Sequence, residues 1–247
     1  MQNKVVIITG ATSGIGNEAA RMFAEKGAHV YALGRDEESA KELEAGDLKG
    51  TIEFCKVDVD QEDSVKEFYE KLGSEKQEFH VLFNNAGIGH PAVGPLSQVD
   101  EDDWEKVMDT NLKSQYLMIK HGEQYFSKEE PVSIINNAAV VGSAAFPPAL
   151  PAFSASKAGV IGMTKTLASR FAKRNVRINA ISPGPVDTRL LKSLYPNEEA
   201  YSKAENEHPR GKFGSPEEIS KAVYFLASPD SSYINGHNLV IDGGYSL

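Results

Sequence analysis

The sequence predicts a doubly wound α/β fold, a mostly parallel sheet of about seven strands with helices on both faces. Three observations predict it. Short β-branched apolar runs alternate with stretches of helical spacing along the whole chain. The runs are continuously apolar, as in strands buried on both faces, and do not alternate as half-solvated strands do. The first run also passes directly into a glycine-rich turn and then a helix.

That first run is residues 4–9, Lys-Val-Val-Ile-Ile-Thr, and the turn is T-G-A-T-S-G-I-G at 9–16. A helix over 15–26 follows, with Ala20, Phe23 and Ala24 on its apolar stripe. This order offers backbone N–H groups and the positive end of a helix dipole to an anion. Gly10, Gly14 and Gly16 would let the backbone approach a pyrophosphate without an intervening side chain. The spacing is G-x-x-x-G-x-G and not G-x-G-x-x-G, so a turn that merely joins strand to helix remains the alternative reading.

Further strands are predicted over 28–34, 51–57, 79–84, 132–137, 176–182 and 237–241. Further helices are predicted over 36–45, 61–73, 102–127, 154–174 and 216–227. The second strand ends Gly34-Arg35-Asp36. An acidic residue at this tip binds a ribose 2′-hydroxyl, whereas an arginine accommodates a 2′-phosphate. With Gly34 at the tip and Asp36 displaced beyond Arg35, NADP(H) is favoured over NAD(H); the alternative is that Arg35 is a solvated loop charge. Asp58 and Val59 end the third strand, at the edge where ligands collect in such sheets. Asn84-Asn85-Ala86-Gly87 ends the fourth, and either lines a groove or makes a turn. His90 is left without a role.

The chain has 247 residues, with no repeat, low-complexity tract or linker-like shift in composition, and 1–247 is read as a single domain. A net charge of −9 and scattered cations argue against a nucleic-acid partner. Cys55 is the only cysteine, so no intrachain disulfide and no cysteine-rich metal site is expected. The first strand begins by residue 4, and no apolar run reaches the ~18 residues of a membrane span, so a cytoplasmic protein with no membrane partner is the expectation.

These motifs together resemble the short-chain dehydrogenase/reductase family. The resemblance is carried by T-G-A-T-S-G-I-G at 9–16, D-V at 58–59, N-N-A-G at 84–87 and Asn111 in T-N-L. It continues with S-A-S-K at 154–157, R-I-N-A-I-S-P-G-P-V-D-T at 177–188, F-G-S-P-E-E-I at 213–219 and I-D-G-G at 241–244, in register across nearly the whole chain. The resemblance implies a Rossmann-type nicotinamide dinucleotide site. Gly10, Ser13, Gly14, Ile15 and Gly16 would hold phosphates and ribose, Arg35 would meet a 2′-phosphate, and Asp58 and Val59 would flank adenine. Asn85, Ala86 and Gly87 would run along the cofactor, and Lys157 would hold the nicotinamide ribose. Pro183, Gly184, Val186 and Thr188 would grip the nicotinamide end, and 189–212 would be a mobile substrate lid.

Family members use Asn, Ser, Tyr and Lys for hydride transfer to a ketone or from a secondary alcohol. Asn111 and Lys157 stand at two of these positions, but the Tyr and Ser positions hold Phe153 and Ala139. The Ala139–Phe153 interval of 14 is one longer than the family's common spacing, which places an insertion in the loop through Pro147, Pro148 and Pro151. An oxidoreductase that binds NADP(H) but turns over simple ketones or alcohols feebly or not at all is therefore expected. Three explanations stay open: a binding or regulatory protein on this scaffold, an inactivated form of a reductase, or catalysis through Ser143, Ser154, Tyr195, His90 or a water held by Asn111 and Lys157. The resemblance further implies a homotetramer or homodimer paired through 102–127 and 154–174, whose apolar set of Trp104, Val107, Leu112, Tyr116, Ile161 and Leu167 exceeds what one sheet face needs. The small carbonyl or alcohol ligand is not identified by the sequence.

Overall fold

Seven parallel strands form one sheet in the order β3-β2-β1-β4-β5-β6-β7. The computed structural model describes residues 1–44, 48–89, 99–144 and 151–247. The strands are β1 Val5–Thr9, β2 His29–Gly34, β3 Thr51–Lys56, β4 Val81–Asn84, β5 Val132–Asn137, β6 Val176–Pro183 and β7 Asn238–Ile241. The helices are α1 Gly14–Glu25, α2 Glu37–Glu44, α3 Glu62–Ser74, α4 Glu101–Met108, α5 Ser114–Gly122, α6 Pro151–Phe171, α7 Arg189–Lys192, α8 Glu198–Glu207 and α9 Pro216–Ala227. From β1 the chain winds outward through β2 and β3, then returns to β4 on the other side of β1. The crevice at that reversal, above the C-terminal strand ends, is where doubly wound sheets bind ligands.

Alternation along β1 explains its uniformly apolar sequence. Val6 and Ile8 pack in one core layer with Phe23 of α1 and Ile219, Val223 and Leu226 of α9. Val5 and Ile7 pack in the other with Tyr31, Phe68, Tyr69 and Leu82. Each such fully buried aliphatic side chain contributes about 1.5–3 kcal/mol, so both faces hold the strand in register. Helix α9 starts at a capping box, with Ser215 Oγ accepting from Glu218 N at 3.2 Å and Glu218 Oε2 accepting from Ser215 N at 2.9 Å.

Four expectations need correction. The strand expected over 79–84 begins at Val81, and Phe79 makes only an isolated bridge to Phe126. The single helix expected over 102–127 is broken by a π-helical turn at Asp109–Lys113 and ends in a 3₁₀ turn at Glu123–Tyr125. The helix expected from 154 starts at Pro151, because proline's fixed φ and missing N–H suit a first helical turn. The segment 189–212, for which the sequence predicts no helix, holds α7 and α8, capped by Thr188 and Asn197, and buries Tyr201 against Phe213. No described helix is long and apolar enough to cross a membrane.

Candidate functional site

The glycine turn sits at the C-terminal end of β1, beside the chain reversal. Gly10 has φ +62°, and a Cβ there would stand 2.9 Å from Ala86 Cα, so the turn lies against the end of β4. At Gly16 a Cβ would fall 2.2 Å from Gly10 O, which only glycine avoids. Ser13 caps α1 by backbone conformation alone; its side chain makes no capping bond, and the first turn of α1 carries no acidic residue. The N-terminal amides of this 12-residue helix therefore have no side-chain cap and no carboxylate in the first turn to compete with an anion. Gly14 and Ile15 begin that helix, and Ile15 packs partly into the core.

Asn85 does not present its amide to the groove. Its Nδ2 donates to Thr9 O at 3.1 Å and Gly10 O at 3.2 Å, and its Oδ1 accepts from Asn137 Nδ2 at 3.0 Å. Thr9 Oγ1 takes the Asn85 and Ala86 backbone N–H groups, both at 2.9 Å. This segment holds the glycine turn from beneath.

At the tip of β2, Arg35 is exposed and lies 3.9 Å from Asp58 across the end of β3. Asp36 is occupied as the cap of α2: it accepts from Glu38 N at 3.1 Å, Ser39 N at 3.2 Å and Ser39 Oγ at 2.6 Å. The Ser39 hydrogen bonds hold its carboxyl below the usual range. Val59 is buried beyond Asp58.

Lys157 is buried on α6 and donates from Nζ to Asn137 O at 2.8 Å. Burial brings its ammonium down to about 8, because the charged form has lost water without gaining a carboxylate. The Phe153 ring lies one turn earlier, with its centroid 5.6 Å from Lys157 Nζ. Ala139 caps the short turn Val140–Gly142, and a Cβ at Gly142 would stand 2.7 Å from the Lys157 carbonyl carbon. That contact brings the Ala139 turn against α6 at Lys157. Gly87 completes the cluster, since a Cβ there would lie 3.2 Å from Asn111 Oδ1 and 3.6 Å from Lys157 Nζ. Asn111, in the π turn, holds the backbone of Ile88 from both sides: Oδ1 accepts from Ile88 N at 2.8 Å and Nδ2 donates to Ile88 O at 3.0 Å.

Pro183 ends β6 and Gly184 follows it, where a Cβ would strike Asp242 Cβ at 2.7 Å. Val186 is buried and bridges to Gly214. Thr188 Oγ1 donates to Val186 O at 3.2 Å and accepts from Leu191 N at 3.3 Å. Of the alternative hydroxyls, Ser143 donates to Val140 O at 3.1 Å, and the Tyr195 ring packs on Tyr201 and Phe213. Neither points to the Lys157 cluster by these contacts. No described contact ties Ser154 to the cluster. His90, Pro147 and Pro148 lie outside the described residues.

The structure adds residues that the sequence reading did not single out. Asn137 receives Lys157 and steadies Asn85, and Gln115 Nε2 donates to the carbonyls of Asn111 at 3.1 Å and Asn137 at 3.2 Å. On the buried side, Asn84 Nδ2 donates to Asn136 Oδ1 and Asn136 Nδ2 to Thr164 Oγ1, both at 2.9 Å. The available signal was the pair of Asn-Asn steps ending β4 and β5, which the sheet places side by side as Asn84 opposite Asn136.

A family model described as enoyl-(acyl carrier protein) reductase matches residues 10–246. A 3-oxoacyl-[acyl-carrier-protein] reductase FabG from Thermotoga maritima is 40% identical over 246 residues, spanning 99% of this chain and 98% of that protein. Dehydrogenase/reductase SDR family member 6 of Rattus norvegicus is 36% identical over 251 residues, spanning 100% of this chain and 99% of that protein. This chain belongs to the short-chain dehydrogenase/reductase family. Among solved structures, levodione reductase superposes with a TM-score of 0.92 at 28% identity, covering 100% of this chain and 98% of the other. Thermoplasma acidophilum aldohexose dehydrogenase, in ligand-free form, gives 0.86 at 33% identity, covering 99% and 94%. The chain is thus an oxidoreductase of the short-chain dehydrogenase/reductase type, a family that binds a nicotinamide dinucleotide. The uncapped α1, the side-chain-free glycine cradle and the buried Lys157 ammonium fit such a cofactor.

Proposed function

We propose that this protein binds NADP(H) in preference to NAD(H) and is a catalytically impaired ketone or secondary-alcohol oxidoreductase. The observation that carries the impairment is the Phe153 ring beside Lys157 Nζ, where a tyrosine hydroxyl would be the proton donor. When bound, the cofactor supplies or accepts hydride. Lys157 would hold the nicotinamide ribose hydroxyls, and the glycine turn with the α1 amides would hold the pyrophosphate. Thr188 and Val186 would meet the carboxamide. Phe153 cannot move a proton at any pH, which forfeits ~10²–10⁴ in rate from general acid–base catalysis. Ala139 cannot donate to a developing oxyanion, a loss of ~10²–10³. The two losses are not additive, because such groups act as a unit.

Preference for the 2′-phosphate rests on Gly34 and Arg35 at the tip and on Asp36 being spent on the α2 cap. The relatives' names make a 3-oxoacyl thioester the first carbonyl compound to try. A second reading, a nucleotide-binding protein without turnover, is favoured by the same missing hydroxyls. Fluorescence titration with NADPH and NADH tests the binding reading, with micromolar NADPH affinity and weaker NADH expected. Absence of binding by either would overturn it. Turnover at the level of intact family members on a carbonyl panel would overturn the impairment.

A further inference from the structure

The glycine turn is flanked by two chain segments that touch it directly. At one flank, a Cβ on Gly34 at the tip of β2 would stand 2.9 Å from Thr12 Cγ2. At the other, a Cβ on Gly14 would stand 3.2 Å from Thr188 Cγ2, at the start of the 189–212 segment. The residue after each contact is an arginine, Arg35 on the first flank and Arg189 on the second. Both are exposed, and the Arg189 guanidinium forms no hydrogen bond or ion pair among the described residues. Its charge nonetheless reaches the Asp36 carboxyl, which after the Ser39 and Glu38 hydrogen bonds is lowered further by Arg189. A chain of net charge −9, with Glu37 and Glu38 at the same edge, otherwise repels an anion here.

We propose that Arg189 is a cofactor-phosphate ligand, which closes on the glycine turn beside Gly14 as Arg35 stands beside Thr12, and ties the 189–212 segment to the bound dinucleotide. This rests on the NADP(H)-binding reading above. Charge-assisted hydrogen bonds from a guanidinium suit phosphate oxygens, and two guanidiniums at one turn grip more tightly than either alone. Cofactor binding would then order the first turn of the segment, α7, at the same time. Leu190 and Leu194, whose side chains already approach Gly89, would be carried with it over the substrate side.

The experiment compares the intact protein with Arg189→Gln, Arg189→Lys and Arg35→Gln in titrations with NADPH, NADH and adenosine 2′,5′-bisphosphate. Arg189→Gln is expected to weaken NADPH at least tenfold, with Arg189→Lys recovering part of the loss. If NADH is unaffected and the bisphosphate weakens in parallel, the 2′-phosphate is the group held. If NADPH and NADH weaken equally, it is the pyrophosphate. Less than a twofold change for both dinucleotides overturns the proposal while leaving the binding reading intact. If the unaltered protein binds neither, the binding reading has failed and this proposal with it. Limited proteolysis within 189–212 supplies a second readout: protection by NADPH should be lost in Arg189→Gln, and equal protection in both proteins would count against Arg189.

Discussion

Lys157 Nζ donates to the Asn137 carbonyl at 2.8 Å while the Phe153 ring faces it at 5.6 Å. A buried ammonium therefore has one carbonyl and an aromatic face in place of water, and no carboxylate among its described partners. The ring offers some cation–π attraction, of order 1–2 kcal/mol when desolvated, which does not offset full dehydration. Burial accordingly lowers Lys157 from 10.5 to about 8.

Stability should respond with a definite sign. Between pH 8 and 10.5 the unfolded chain keeps a proton on Lys157 that the folded chain has released, so folding becomes more favourable as pH rises through this window. Below pH 8 both states are protonated and the full penalty is present, about 3 kcal/mol on the scale of 1.36 kcal/mol per pKa unit. Urea unfolding of the protein and of Lys157→Met at pH 7.5 and 10 isolates the effect from other titrating groups. The difference between the two should shrink by most of that amount at the higher pH. Parallel behaviour at both values would show that Lys157 titrates like a solvated lysine.

Phe153→Tyr should restore turnover more than Ala139→Ser does. The new phenol would stand one turn from the Lys157 ammonium, which favours its ionised form and makes it a usable acid or base near neutral pH. We expect a gain of at least ~10² in kcat for Phe153→Tyr on a carbonyl substrate the protein binds, a smaller gain for Ala139→Ser, and a double variant exceeding the product of the two. Steady-state NADPH oxidation measures all three. A silent double variant that still binds NADPH would favour a binding role for the protein.

The sheet, its helices and the glycine turn were legible because they depend on local patterns: buried strands need apolar runs, and a close backbone approach needs glycine. Asp36 illustrates what is legible only in part. Its displacement from the β2 tip can be read from sequence, but its engagement with Ser39 needs coordinates. The π turn at Asp109–Lys113 was illegible, since one extra residue shifts the apolar stripe too little to be seen in a single helix. Helices α7 and α8 were missed because they are short and polar, with Tyr201 as the one residue of α8 that is buried. Gln115 was missed because an amide on a helix reads as a surface residue, until the fold turns it onto the Asn111 and Asn137 carbonyls.

Gly16→Ala should damage both fold and cofactor site. The added methyl would lie 2.2 Å from Gly10 O and 2.5 Å from Asn85 Nδ2, so the glycine turn must move off its support on Asn85. Backbone overlap of this kind costs about 1–3 kcal/mol or more. A lowered thermal midpoint together with loss of NADPH binding is expected. Retention of both would mean that the turn can relax without losing its geometry.

Association through the α4–α5 and α6 faces makes the last prediction. Of the six apolar residues singled out on this stretch of helices, the fold buries Val107, and it packs Leu112 and Ile161 partly against one core layer and Leu167 against another. Trp104 and Tyr116 remain exposed, by 40% and 47%, on α4 and α5. Two large aromatics left in water on successive helices are what a partner would cover, since aromatic side chains concentrate at the centres of protein interfaces. Light scattering should therefore report a dimer or tetramer and not a 26.9 kDa monomer. Trp104→Glu with Tyr116→Glu should shift the mass toward the monomer, because burying two carboxylates at an interface costs several kcal/mol. A monomeric parent protein would remove the prediction. A double variant that keeps the parent's mass would place the interface elsewhere, and the exposed Tyr233 and Val240 near β7 would then be the surface to alter next.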